Sequence, residues 1–218
     1  MMQLSIIVTD TGPLITLAAA GALDALLLPK LPVIVPDMVR FEVIRDLDKP
    51  GARAVADWIR RHEPMRVRVA STEVFEEFEI LRSVNPATKT KDRGEQSAAE
   101  VLNHTLSTQG EGAILIFEDS MVRKPNFLVR LPDEVVVTST SEFLLGLERH
   151  GLLPNAAAVL ARAVSLRGND ILTRHLRETG DSPVGQDWPA RIAGGRPAVP
   201  ADRTTVKPRT RTKPPPQG

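Results

Sequence analysis

The sequence contains no cysteine among its 218 residues, which excludes disulfide bridges and thiolate-held zinc or iron–sulfur centres. That absence fits a reducing cytoplasm. Charge of one sign is also lacking: 28 Lys and Arg stand against 27 Asp and Glu, so the net charge of +1 names no partner. No apolar run is long enough to span a bilayer. The most apolar stretch, Leu14 to Leu28, is interrupted by Gly21 and Asp24 and ends at Pro29. Met1 to Asp10 has no basic region followed by a long apolar run and a small-residue cleavage site, so it does not read as a signal peptide. The expectation is a cytoplasmic protein outside the membrane. No Gly-x-Gly-x-x-Gly follows the first apolar run, and no Gly-Lys-Ser/Thr phosphate loop or Gly-x-Ser-x-Gly elbow occurs. Nucleotide-binding and serine-hydrolase readings therefore fail. The four histidines, His62, His104, His150 and His175, are scattered, with no pair at helical spacing to support a zinc site. Each reads as a surface or helix-end residue. There is no internal repeat.

What is present is an alternation. Short β-rich runs at Leu4–Thr9, Val33–Val35, Val67–Val69, Ala113–Phe117 and Val135–Val137 are separated by helical patterns. These helices are expected at Leu14–Ala20, Ala22–Leu28, Asp37 to about Arg45, Gly51–Arg61, a segment after Ser71, Gly94–Leu106, Ser139–Arg149, Asn155–Ser165 and Ile171–Arg177. Pro13 suits a first helical turn, and Asp37 and Ser71 can cap the helices that follow them. After Ser71, the apolar residues Val74, Phe75, Phe78 and Leu81 recur at helical spacing. The pattern implies an α/β domain with a mainly parallel central sheet covered by helices. Composition shifts after about Thr179: the remainder is rich in Pro, Gly and basic residues and poor in aliphatics. Two regions are therefore expected, a domain over 1–179 and a disordered, Pro-rich basic tail over 180–218. Such a tail can touch nucleic acid or be a solvated extension without a dedicated role.

Ligands of open α/β sheets collect at the carboxyl ends of the strands. Asp10 follows the first β-rich run there, and Glu118 and Asp119 follow Ile114–Phe117. Glu42 sits between Phe41 and Val43 in a predicted helix, and Glu95 opens the helix beginning at Gly94. Each has an ordinary explanation as a turn residue, cap or dipole partner. Together they form a carboxylate set of the kind that hard cations such as Mg²⁺ or Mn²⁺ neutralise.

The segment Ile6–Ile15, reading IIVTDTGPLI, resembles the opening strand and loop of PIN domains, in particular the bacterial and archaeal branch related to the ribonuclease toxins of toxin–antitoxin pairs. Pro36–Val43 (PDMVRFEV), Asp92–Ala99 (DRGEQSAA) and Leu115–Ser120 (LIFEDS), with Arg123 just beyond, resemble that family's later acid-bearing segments. Glu142–Leu145 and Gly151–Leu153 resemble its closing helix and turn. The likeness covers roughly residues 4 to 175. It implies a three-layer α/β/α domain that hydrolyses RNA phosphodiester bonds with Mg²⁺ or Mn²⁺. In this reading Asp10 and Asp119 are the central metal ligands. Glu42 and Glu95 hold the ion or orient water, Glu118 is an auxiliary acid, and Arg123 and Lys124 steer the RNA backbone or are simply solvated charges. The implied partners are an RNA substrate, an antitoxin protein and a second copy in a homodimer. The alternative is a catalytically silent PIN-like scaffold that binds RNA or protein. Two departures stand out: Gly12 lies where many PIN domains carry Ser or Thr, leaving any hydroxyl role to Thr11, and the third acid is Glu rather than Asp.

Overall fold

The computed structural model describes residues 4–109, 112–118, 131, 133–167 and 188–191. The predicted helix at 171–177, the acid Asp119, the cations Arg123 and Lys124, the imidazole of His175 and most of the tail lie outside the described residues.

Five strands form one sheet: β1 (Leu4–Thr9), β2 (Val33–Pro36), β3 (Val67–Ala70), β4 (Gly112–Phe117) and β5 (Val135–Ser139). Their order is β3-β2-β1-β4-β5, and every neighbouring pair is parallel. The first strand is therefore central. The apolar runs read continuously because the central strands are buried on both faces. Ile7, Val33, Val35, Ile114 and Ile116 point into one core layer. Their alternates Ile6, Val8, Ile34, Ala113 and Leu115 point into the other.

Helices α1 (Thr11–Ala19), α2 (Asp37–Ile44), α3 (Ala52–His62), α4 (Glu73–Val84), α5 (Arg93–Gln109), α6 (Thr140–Arg149) and α7 (Ala156–Arg167) follow the strands. Leu14 and Leu17 of α1, Val55 and Trp58 of α3, Phe143 and Leu147 of α6 and Val159 and Leu160 of α7 close the first layer. Ala98, Val101, Leu102 and Leu106 of α5 close the second. The result is the α/β/α arrangement expected from the sequence. Among the described residues, no helix is long and apolar enough to cross a membrane.

Several local expectations shift. The first helix begins at Thr11 rather than Leu14, because Thr11 and Gly12 join its first turn ahead of Pro13. The expected second helix is only a short 3₁₀ turn, Leu23–Leu27. The cap of α4 is Thr72 rather than Ser71: the Thr72 hydroxyl accepts from the Phe75 N–H at 3.3 Å. The same hydroxyl donates to Asp37 at 2.7 Å, and the Thr72 N–H donates to Asp37 at 2.9 Å, which settles the one-residue shift. Leu81 is 41% exposed, so the apolar face of α4 ends at Phe78. The helix expected from Ser139 begins one residue later, at Thr140, with Ser139 as its N-cap in a capping box that pairs it with Glu142.

A larger difference concerns the residues after 179. Trp188–Arg191 form a 3₁₀ turn, and Trp188 is fully buried. Its ring stacks on Phe143 with centroids 4.9 Å apart and planes 12° from parallel. Gly146 makes room for it, since a Cβ there would lie 2.8 Å from Cε2 of Trp188. The segment that composition marks as a tail thus supplies a core side chain. A single large aromatic can bury as much area as several aliphatics, whatever the average of the segment around it.

Candidate functional site

Parallel strands place all their carboxyl ends on one edge of the sheet. The register Thr9↔Ile116 brings the ends of β1 and β4 level, and Phe117↔Ser139 does the same for β4 and β5. Asp10, Asp37, Thr72, Glu118 and Thr140 therefore occupy one rim.

Asp10 sits in extended conformation at the start of α1, with its N–H donating to the Ile116 carbonyl at 3.3 Å. The N–H groups of Thr11 and Gly12 in that first turn face its carboxylate, so it keeps the helix-start role common for an Asp after a strand. Its carboxyl pKa is raised to about 7, chiefly by burial and further by the charges of Glu42 and Glu95; the N–H groups of Thr11 and Gly12 act against the shift.

Glu42 reaches the same place from α2. Burial raises its pKa too, opposed by hydrogen bonds from Thr11 and Thr90 and by the charge of Arg45. The Thr11 hydroxyl donates to Oε2 of Glu42 at 2.9 Å. Gly94, in the first turn of α5, closes the third side. A Cβ there would fall 2.9 Å from Oε2 of Glu42 and 3.4 Å from Oδ1 of Asp10. Only a residue without a side chain lets both carboxylates approach this backbone so closely. The next residue, Glu95, adds its charge to the pair and lines an open groove of about 1430 Å³ between α4 and α5. Asp92, just before this helix, has a left-handed φ of 62°, a conformation that Asp tolerates better than most residues.

Glu118 is 8% exposed and approaches from the end of β4. Its Oε1 accepts from the Thr140 hydroxyl at 2.7 Å, while its Cβ and Oε2 lie beside Gly12. Asp37 is occupied differently. It accepts from Met38 N–H at 2.8 Å and from both the N–H and hydroxyl of Thr72, and Thr72 in turn contacts the Ser97 hydroxyl at 3.1 Å. That network ties the β2–α2 corner to the β3–α4 corner.

Three of the four acids expected at a metal site, Asp10, Glu42 and Glu95, thus meet at one rim, and the fourth, Asp119, lies outside the described residues. Thr90 and Gly94, beside Glu42 and Asp10, and Thr140, which holds Glu118, were not anticipated as partners of the rim acids. Among the described residues, no group of three or more His, Asp or Glu side chains is disposed to hold a metal ion together. Three of the four histidines also sit where expected: His62 ends α3, His104 is exposed on α5 and His150 caps α6.

In comparison with known proteins, no family model matches the chain and no curated protein matches it.

Proposed function

We propose that this protein is a PIN-like, metal-dependent endoribonuclease. The observation that carries the reading is the state of Asp10. Its carboxyl lies at the carboxyl end of the central strand, raised to about 7 by burial and by two further acids from different helices. Carboxylates that repel one another within reach of solvent match a site for a divalent cation.

The donor chemistry fits Mg²⁺ or Mn²⁺, which prefer oxygen ligands. Mg²⁺ commonly takes only one or two protein carboxylates together with water and substrate phosphate. The absence of a three-acid cage among the described residues is therefore compatible with it. Asp10 and Glu42 would hold the ion, with Glu95 adding to the negative field; the sequence resemblance implies Asp119 as a further ligand. When bound, such an ion offsets charge on the scissile phosphate and acidifies water. The chain's own residues do the positioning. Thr11 and Thr90 orient Glu42, the backbone at Gly94 leaves room for the carboxylates, and burial keeps Asp10 from being swamped by bulk solvent.

RNA is the proposed substrate, on the strength of the sequence resemblance. In a toxin the further partner would be an antitoxin protein, encoded by a neighbouring gene. A cytoplasmic setting and a homodimer belong to the same proposal. The runner-up, a silent PIN-like scaffold, is favoured by the lack of a three-acid metal group among the described residues. One assay separates them. Cleavage of varied RNAs in Mg²⁺ or Mn²⁺, stopped by EDTA and by Asp10→Asn, supports the nuclease. Full-rate cleavage in excess EDTA would overturn the metal mechanism, and no cleavage with any metal would favour the scaffold.

A further inference from the structure

Gly12 and Glu118 come from elements that meet only in the folded chain. Gly12 lies in the first turn of α1, two residues after Asp10. Glu118 follows β4. A Cβ at position 12 would fall 2.9 Å from the Glu118 Cβ and 3.0 Å from its Oε2. The first of these atoms is next to the backbone, so rotating the Glu118 side chain cannot relieve the contact. The other carboxylate oxygen is held by Thr140, the first residue of α6, at 2.7 Å. One almost fully buried side chain therefore touches the ends of β4, α1 and α6. It fills from β4 the volume that a side chain at position 12 would fill from α1.

We propose that Glu118 is a positioning residue. Seated on Gly12 and anchored by Thr140, it fixes the first turn of α1 and with it the placement of Asp10 and Thr11. Thr11 holds Glu42, so the constraint reaches a second acid. The role rests on the proposed metal site only in what it serves; the packing of Glu118 on Gly12 stands without it.

The test is a double-mutant cycle in the full-length protein. Thermal melts are recorded for Gly12→Ala, Glu118→Gly, which removes the contacting Cβ, and the double variant; Glu118→Ala and the conservative Glu118→Gln serve the readouts of the positioning role. Gly12→Ala should lower the apo melting temperature by about 3–10 °C, the range expected for an added methyl in a filled site of a domain this size. In the Glu118→Gly background the same change should cost almost nothing, because both the Cβ and the carboxylate that the new methyl would meet are gone. Equal costs in both backgrounds would overturn the proposed pairing.

The positioning role has its own readouts. Amide chemical shifts of Asp10, Thr11 and Gly12 should move in Glu118→Ala and return towards wild type in Glu118→Gln, which keeps the shape and an acceptor for Thr140. Apparent Mn²⁺ affinity, read from metal-induced melting shifts, should fall about tenfold or more in Glu118→Ala and recover in Glu118→Gln. A lower melting temperature with unchanged amide shifts and unchanged Mn²⁺ response would make Glu118 a packing residue only. If the wild-type protein gains no stability from Mn²⁺, the metal reading fails, while the cycle and the amide shifts still decide the role of Glu118.

Discussion

Thr11 donates its hydroxyl to Oε2 of Glu42 across 2.9 Å, joining two residues 31 positions apart in sequence. This bond favours the ionised form of Glu42 against the burial that raises its pKa. Thr11→Val, nearly the same shape without the donor, should raise the Glu42 pKa further, weaken Mn²⁺ binding and slow cleavage. Thr11→Ser should restore all three. The stability lost in Thr11→Val should be about 1.5–3 kcal/mol at neutral pH, the range for a hydrogen bond to a charged group. A Thr11→Val protein with wild-type Mn²⁺ response would show that the hydroxyl does not prepare the site.

Asp10 makes apo stability depend on pH in a direction opposite to that of a salt-bridged carboxylate. Its pKa is about 7 in the folded protein and near the ordinary aspartate value in the unfolded chain. Between about pH 4 and pH 7 the native state therefore holds the proton more tightly. This contribution is complete below about pH 4 and is lost as pH rises through about 7. Asp10→Asn should flatten that loss and leave the apo fold as stable as wild type, or more so, at pH 8, while abolishing cleavage. Mn²⁺ should do the converse in the wild type, raising stability more at pH 8 than at pH 5, where protons compete for the carboxylate. Melts across this range with and without Mn²⁺ read both effects. Apo stability rising from pH 5 to pH 8 in wild type but not in Asp10→Asn would contradict the assignment.

Trp188 changes what truncation should do. Ending the chain after Thr179 removes the ring that stacks on Phe143, whereas ending it after Arg191 retains it. The shorter protein should lose about 3–5 kcal/mol, as should Trp188→Ala, by the usual cost of emptying a buried aromatic site. The longer one should melt like the full chain. If the basic residues beyond 191 help capture RNA, removing them should flatten the salt dependence of RNA binding without changing the melt. Equal melting of the 179 and 191 truncations would remove Trp188 from the core.

Asp37 provides a contrast within the same rim. Its carboxylate satisfies the N–H and hydroxyl of buried Thr72. Asp37→Ala strands both groups and should cost about 1–3 kcal/mol. It should leave the Mn²⁺-induced melting shift intact, because Asp37 is committed to Thr72 rather than to the Asp10 cluster. A variant as stable as wild type but unresponsive to Mn²⁺ would move Asp37 into the metal site.

The strands were legible in the sequence because central parallel strands are buried on both faces, so their residues are apolar without alternation. Asp10 and Glu118 were legible at the rim for a related reason: a polar residue directly after such a run must sit at the sheet edge. What escaped was whatever depends on distant partners. Nothing local distinguishes Ser71 from Thr72 as a cap; the choice is made by Asp37, more than thirty residues earlier. Gly94 reads as a helix start, and only the folded chain shows two carboxylates pressed against it. Trp188 is hidden by the composition of its neighbours, and its pocket is created by the missing side chain of Gly146 on another element.

The strand order has a consequence for the chain as it is made. β1 leaves the ribosome first and ends up in the middle, with β2 on one side and β4 on the other. β2 follows soon after, but Ile7 must wait for Ile114, so one flank of β1 stays bare while about a hundred residues are added. At ordinary translation speeds that interval is about 5–20 s. During it, an apolar strand with open N–H and C=O groups is a template for pairing with other nascent chains. Chaperone demand and aggregation during expression should therefore peak before β4 emerges, and ribosome-stalled chains ending short of Gly112 should be the stickiest intermediates.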